Sequence, residues 1–193
     1  MTRSVTNHSD ATLVTGPAES FGVLFTQYAG QLYDYAARRV GRQVAEDLVA
    51  DTFLVAFARR ERYDPAVPNA RPWLFGILTN LLRNHQRAET QAWRAYARAG
   101  SDPLGGGRLV AEPFADRVGE RLDAQAAARA MAGALASMPS RQRDLLLLHV
   151  WAGMDYPELA TALGLPPGTV RSRLHRAKAR LRQALPDHPA PTT

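Results

Sequence analysis

Apolar residues recur at helical spacing along most of the chain. Between Ser20 and about Val40 they follow the spacing i, i+3, i+4 and i+7, and Gly41 comes directly after them. This period is typical of an amphipathic helix, and Ser and Gly are common at the first and last positions of helices. A second helix is predicted over Val44 to Arg60, and no segment alternates as a β-strand does. The pattern predicts an all-α protein.

The second predicted helix carries two apolar stripes where one would suffice. The first stripe contains Leu48, Thr52, Val55 and Ala56, and the second contains Ala50, Phe53, Leu54 and Phe57. A small domain buries one face of such a helix against its own core. The other face therefore needs a partner.

A third helix is predicted after the proline-rich loop "RYDPAVPNARP", from Pro72 to about Glu89. Within it, "LTNLLRNHQR" spaces three leucines for burial but also contains a wholly polar stripe. That stripe consists of Asn80, Arg83, Asn84 and Arg87. Asparagine is a poor choice for a solvent-facing helix because its short side chain competes with the helical backbone. The stripe therefore indicates a binding surface.

The second half predicts a further helical domain. The segment "GSDPLGGGRL" cannot hold regular structure and indicates a flexible linker. After it we predict helices to Met138, from Ser140, over Tyr156 to Leu163 and over Pro167 to Leu185. The predicted organisation is a disordered tail (1–19), a helical domain (20–89), a linker (90–123), a helical domain (124–186) and a disordered tail (187–193).

Composition limits the function. The formal charge of +6 and the pI of about 10.3 favour an anionic partner such as nucleic acid. The chain has no cysteine, and its five histidines lack metal-ligand spacing. We see no nucleophile motif, signal peptide or apolar run long enough for a membrane span. We therefore expect a cytoplasmic protein that is not an enzyme and has no membrane insertion, catalytic residue, metal or cofactor.

The segment "YPELATALGLPPGTVRSRLHRAKARL" has the pattern of a helix-turn-helix. Ala160, Gly164 and Val170 follow the spacing of four and then six that this motif requires. Pro167 to Leu185 contains six arginine or lysine residues and no acidic residue. Phosphate attraction explains this single sign of charge, and a helix in the major groove explains its polar face. The pattern predicts DNA binding.

The region from "MPSRQRDLLLLHVW" through that motif closely resembles the fourth conserved region of extracytoplasmic-function (ECF) sigma factors. "AEDLVADTFLVAFARR" looks like the polymerase-binding helix of the same family, and "RPWLFGILTNLLRNHQR" looks like its promoter-melting helix. The resemblance covers roughly residues 20–88 and 124–185, in the family's order. It implies two domains, sigma regions 2 and 4, and a factor that gives RNA polymerase its promoter specificity.

The resemblance also implies which residues bind. Those expected on the coiled coil of the polymerase's largest subunit are Asp47, Ala50, Asp51, Phe53, Leu54 and Phe57. Those expected on the melted minus-ten strand are Asn80, Arg83, Asn84 and Arg87, with Tyr63, Asn69 and Arg71 in the preceding loop. Those expected on the minus-thirty-five duplex are Thr169, Arg171, Ser172, Arg173, His175, Arg176 and Lys178.

Further partners follow from the same resemblance. Arg141 and Arg143 are expected to contact phosphate or the polymerase flap. Family members are commonly held inactive by an anti-sigma factor, so such a partner is also expected. The alternative is a helix-turn-helix regulator, because response-regulator output domains contain a similar "PPGTVRSRL" segment. Such a regulator would carry an α/β domain upstream, and the helical first half argues against it.

Overall fold

The computed structural model describes residues 9–99 and 118–185, and all regular structure within these ranges is helical. The predicted all-α fold is confirmed. The α-helices are α1 (Asp10–Thr15), α2 (Ala18–Val40), α3 (Arg42–Ala58), α4 (Arg71–Leu82), α5 (Gln86–Ala99), α6 (Val118–Ser137), α7 (Ser140–Trp151), α8 (Tyr156–Leu163) and α9 (Pro167–Ala184). We call α1–α5 the first unit and α6–α9 the second unit.

The first unit is built around the pair α2 and α3, which meet at Gly41. α4 packs against both helices of the pair. The apolar periodicity read from the sequence buries Leu24 and Leu32 of α2 against Leu74 and Leu78 of α4. This core fixes which faces of α3 and α4 remain exposed.

The predicted disorder of residues 1–19 is wrong for residues 10–19. α1 lies within this segment, and its Leu13 and Val14 are buried. The buried carboxylate of Asp10 accepts hydrogen bonds from the backbone N–H of Ala70 (2.8 Å) and from the hydroxyl of Tyr28. A six-residue helix has little stability of its own, so these tertiary contacts are what order it.

The single helix predicted to end near Glu89 is also wrong in detail. α4 ends at Leu82, a short 3-10 turn covers Arg83–His85, and α5 continues to Ala99. The predicted linker at 90–123 therefore contains the end of α5 and the start of α6. Trp93, Tyr96 and Ala97 at helical spacing were the signal for α5, and packing against α6 stabilises it. The rest of the predicted linker (100–117) and the outer tails (1–8 and 187–193) lie outside the described residues.

The second unit contains the predicted helix-turn-helix. Asp155 and Glu158 form the predicted capping box, with Glu158 N–H donating to Asp155 Oδ1 (2.8 Å) and Asp155 N–H donating to Glu158 Oε2 (3.0 Å). Gly164 ends α8 at φ 60° and ψ 41°, a left-handed conformation that glycine adopts without strain. These local predictions are confirmed.

The two units pack against each other through one continuous core. Trp151, the last residue of α7, lies with its ring centroid 6.5 Å from that of Tyr35 and 6.1 Å from that of Trp93. α8 packs on α4 of the first unit. The sequence pattern predicts each unit but does not predict this joint.

Candidate nucleic-acid interface

The predicted polar stripe crosses the 3-10 turn between α4 and α5. All four of its side chains are exposed: Asn80, Arg83, Asn84 and Arg87. The backbone stays helical through the turn, with φ/ψ of −57°/−25° at Leu82 and −59°/−31° at Gln86. A 3-10 segment within a helix often marks a functional hinge. Both amide side chains are exposed, so another molecule can reach them.

The loop residues predicted to bind a base have intramolecular partners. Tyr63 is only 5% exposed, and its hydroxyl donates to the carbonyl of Val67 (2.6 Å). Asn69 Oδ1 accepts from the backbone N–H of Arg71 (2.9 Å). Arg71 donates from Nε to Gln31 Oε1 (2.9 Å) and from Nη2 to the carbonyl of Ala152. In this arrangement the three side chains hold the loop and the joint between the units.

α9 turns a basic face to solvent. Val170, Leu174 and Ala177 bury its opposite face, as the sequence predicts. Of the residues predicted to read duplex DNA, four are exposed: Arg171, Ser172, His175 and Arg176. Arg176 Nε donates to the carbonyl of Ser172 (3.3 Å), a weak contact that DNA can displace. These four side chains form one polar surface on α9.

Three other predicted groove residues are half-buried. They are Thr169, Arg173 and Lys178. Lys178 Nζ lies 3.0 Å from Nε2 of His149, so this side chain contacts α7 of its own unit. Arg173 lines a cavity of about 260 Å³ at the joint, together with Arg83, Arg141, Asp144 and residues 163–165. Its Nη1 is enclosed and has no hydrogen-bond partner among the described residues.

The outward face of α3 matches the predicted polymerase-binding stripe only in part. Exposed on it are Asp47, Ala50, Asp51 and Leu54, and the side chain of Leu54 is 68% exposed. Phe53 is only 7% exposed because its ring packs edge-on to the ring of Phe21, and its ring centroid lies 4.9 Å from that of Phe25. Phe57 is half-buried with its ring centroid 5.3 Å from that of Phe21. α2 therefore covers the aromatic part of the stripe and leaves two carboxylates beside an aliphatic side chain.

Sequence reasoning missed a buried ionic cluster at the joint. Arg39 of α2 donates from Nε to Glu89 Oε1 (2.7 Å) and from Nη2 to both Glu89 Oε2 (3.0 Å) and Asp144 Oδ1 (2.8 Å). Arg143 Nη2 lies 3.5 Å from Glu89 Oε2. The sequence did indicate that Arg39 is buried, because it stands at the next position of the helical core stripe formed by Leu32, Tyr35 and Ala36. Arg143, predicted to contact phosphate or the flap, is buried here.

Burial sets the protonation behaviour of this cluster. Removal from water raises the pKa of Asp144 despite the neighbouring Arg39. Burial would lower the pKa of Arg39, but Tyr35, Glu89 and Asp144 together raise it well above its ordinary value. Burial also raises the pKa of Tyr35 to about 12. The cluster thus contains a permanent cation between two carboxylates in a dry site.

Two classes of site find no support in the described part of the chain. No group of three or more His, Asp or Glu side chains there is placed to hold a metal ion. None of the helices there is both long and apolar enough to cross a bilayer.

Two families match the chain, one in each half. Residues 24–94 match Sigma-70 region 2, and residues 128–181 match Sigma-70, region 4. Over 187 residues the chain is 34% identical to the ECF RNA polymerase sigma factor SigE of Mycolicibacterium smegmatis, covering 95% of this chain and 68% of that protein. Over 163 residues it is 32% identical to the ECF RNA polymerase sigma factor SigL of Mycobacterium tuberculosis, covering 84% of this chain and 86% of that protein.

Two solved structures resemble this one. CnrH in complex with the cytosolic domain of CnrY matches with a TM-score of 0.59 and 26% identity, covering 91% of this chain and 93% of that chain. The sigma factor RpoE in complex with the anti-sigma factor NepR from Bartonella quintana matches with a TM-score of 0.54 and 25% identity, covering 87% of this chain and 98% of that chain. Each match spans both helical units.

Proposed function

The chain belongs to the ECF RNA polymerase sigma factors, and on that premise we propose how its exposed surfaces divide the work of promoter recognition. It is a sigma factor that binds core RNA polymerase and directs initiation at specific promoters. The observation that carries the division of work is that one chain exposes two polar faces of different chemistry. Both faces contain two arginines, but the first adds two asparagines and the second adds a serine and a histidine.

The amide-rich stripe of α4 and α5 reads the melted minus-ten strand. Unpaired bases present edges that both donate and accept hydrogen bonds, and an asparagine side chain can do the same. Asn80 and Asn84 supply this recognition, while Arg83 and Arg87 neutralise the phosphates of the strand. Arg71 becomes available to a flipped base once it leaves the joint, while Tyr63 and Asn69 shape the loop beside it through their hydrogen bonds to Val67 and to the Arg71 backbone.

The basic face of α9 reads the minus-thirty-five duplex. Arg171 and Arg176 reach guanine edges or phosphates, and Ser172 and His175 lie between them on the same face. Thr169, Arg173 and Lys178 belong to this site at its margin, with Arg173 freed when the cavity opens. Arg141 at the cavity rim is a phosphate contact.

The polymerase-binding surface is the exposed face of α3. Asp47 and Asp51 lie one turn apart and can pair with basic residues of the coiled coil. Leu54 is an exposed aliphatic side chain that a partner would bury. Phe53 and Phe57 support this face from below through their contacts with α2.

A protein inhibitor is a further partner under this proposal. The similar sigma factor RpoE was solved with the anti-sigma factor NepR, and CnrH was solved with the cytosolic domain of CnrY. We assign the same kind of partner to this chain. The protein acts in the cytoplasm, where the promoter is, and the polymerase supplies the chemistry of RNA synthesis. The alternative of a response-regulator-like protein is not supported, because the first half matches Sigma-70 region 2.

The decisive experiment is in-vitro transcription from a randomised promoter library. The purified chain is added to core RNA polymerase of Mycolicibacterium smegmatis, and the transcripts are sequenced. We expect transcripts from promoters that share two elements, one near minus ten and one near minus thirty-five. Core enzyme alone is the control. Transcripts no different from those of core enzyme alone would reject the proposed function.

A further inference from the structure

The joint between the units buries charge that neither unit needs to bury alone. Asp144 is 1% exposed, and the arginines within 4.0 Å of it in the described part of the chain are Arg39 and Arg83, both of the first unit. If the units separate, Asp144 loses these partners and meets water. Its burial is therefore a consequence of docking.

Docking pairs the charges of the cluster across the joint, Arg39 with Asp144 and Arg143 with Glu89. Arg39 and Arg143 contribute two positive charges, and Glu89 and Asp144 contribute two negative charges. Buried charges are tolerated when they are paired and hydrogen-bonded, and they oppose burial when a partner is missing. The cluster therefore favours one docked arrangement over other contacts between the units.

A second contact specifies the same arrangement by shape. Gly76 of α4 lies against the backbone of α8, and a Cβ built at Gly76 has its three nearest neighbours among the atoms of Ala162. It would collide with the Ala162 carbonyl oxygen. Glycine is unfavourable within a helix, so its presence here serves the close approach of the second unit.

The docked arrangement cannot occupy a promoter. Arg83 of the minus-ten surface and Arg173 of the minus-thirty-five helix line one cavity of about 260 Å³. On a promoter the two elements lie about 25 base pairs apart, which is roughly 85 Å of duplex at 3.4 Å per base pair. Two side chains that share a small cavity cannot read both elements at once. The units must separate before transcription starts.

We propose that Arg39, Glu89, Arg143 and Asp144 form a latch that holds the free protein in a closed, promoter-incompetent arrangement, which core RNA polymerase opens. The role of polymerase rests on the proposed function, but the existence of the latch does not. The latch lowers the apparent affinity for core enzyme, because only the open fraction can bind. Core enzyme that binds the open form shifts the population toward it.

Two variants should open the latch, one by removing a charge and the other by adding a steric clash. Asp144→Ala removes the carboxylate that docking buries and leaves the Arg39–Glu89 pair within the first unit. Gly76→Ala leaves every charge in place and adds only a methyl group against Ala162. The matched controls are Glu61→Ala, an exposed carboxylate, and Gly22→Ala, a helical glycine whose added Cβ meets nothing within 4 Å.

The distance between the units is measured by pulsed electron spin resonance. The full chain has no cysteine, so Gln43→Cys on α3 and Gln183→Cys on α9 give two specific label sites, both exposed. We expect one narrow distance distribution for the parent chain and both controls. Asp144→Ala and Gly76→Ala should give longer and broader distributions, with circular dichroism showing unchanged helix content.

Affinity for core RNA polymerase is measured on the same variants without the two cysteine substitutions and their labels. If the open form is at most about 10% of the free chain, both latch variants should bind core enzyme at least about tenfold more tightly than the controls. Parent distances that are already long and broad, or latch variants with the parent's distances, would overturn the latch. A chain that shows the latch in its distances but binds no core enzyme would overturn the proposed function instead.

Discussion

The guanidinium of Arg39 donates to the carboxylate of Asp144 over 2.8 Å, although 105 positions of sequence separate the two residues. The same guanidinium holds Glu89 in a two-point ion pair. One side chain thus connects α2, α5 and α7. This placement makes Arg39 the residue on which both the first unit and the joint depend.

Replacing Arg39 should destabilise the protein strongly. Arg39→Met keeps most of the apolar length of the side chain but leaves two buried carboxylates without their main cation. Removing one partner of a buried ion pair costs about 3–5 kcal/mol of unfolding free energy. Urea denaturation followed by circular dichroism measures the change. The exposed Arg42→Met on α3 is the control and should change stability little. A loss below about 1 kcal/mol for Arg39→Met would contradict the assigned role.

Stability should fall in alkali because of Tyr35. The pKa of Tyr35 is raised by burial from 10.0 to about 12, so the folded protein binds this proton more tightly than the unfolded chain does. The contribution is fully present below pH 10 and is lost as the pH rises from 10 toward 12. A shift of this size corresponds to a contribution on the order of 2–3 kcal/mol. Urea denaturation at a series of pH values from 8 to 12 measures the loss.

Tyr35→Phe separates this effect from general alkaline unfolding. The variant loses the hydrogen bond from Arg39 Nη1 to the Tyr35 hydroxyl (3.1 Å), so it should be less stable at pH 8 by about 1 kcal/mol. Its stability should then fall less steeply above pH 10 than that of the parent. Equal alkaline slopes for the two proteins would show that Tyr35 does not carry the effect.

Removing both stripe asparagines should impair promoter melting and spare duplex binding. In the double variant Asn80→Ala with Asn84→Ala, the phosphate contacts of Arg83 and Arg87 remain, while hydrogen bonds to unpaired bases are lost. Permanganate footprinting on a promoter obtained from the library measures melting, and gel shift on its intact duplex measures binding. Gln43→Ala, an exposed amide on α3, is the control. Normal melting in the double variant would refute the reading of the stripe.

Arg176 should contribute to recognition of the minus-thirty-five element. Arg176→Ala is expected to weaken duplex binding by about 1–3 kcal/mol and to relax the preference at one base pair. Competition binding with single-base variants of the element measures both effects. Arg182 is exposed near the C-terminal end of α9, beyond the N-terminal turns that contact base edges, so Arg182→Ala should lower affinity without changing any base preference. Unchanged affinity and preference for Arg176→Ala would remove this residue from the groove.

Local pattern was sufficient for most of the helices and for the two exposed polar faces. Helical spacing predicted α2, α3, α8 and α9, and the pair Asp155 and Glu158 predicted the start of α8. These features depend on residues three or four positions apart, which a sequence displays directly. The roles of the exposed site residues remain predictions.

The contacts between residues of different helices were decided only by the tertiary structure. α1 is too short to be stable without Asp10 and its partners, and Phe53 is buried because α2 happens to cover it. Helical spacing places Arg39 on a buried stripe, but only packing shows that Asp144 of a distant helix is its partner at the joint. The physical reason is range: helix periodicity is set by neighbouring residues, whereas the pairing of distant charges depends on which helices meet and on how much water their contact excludes.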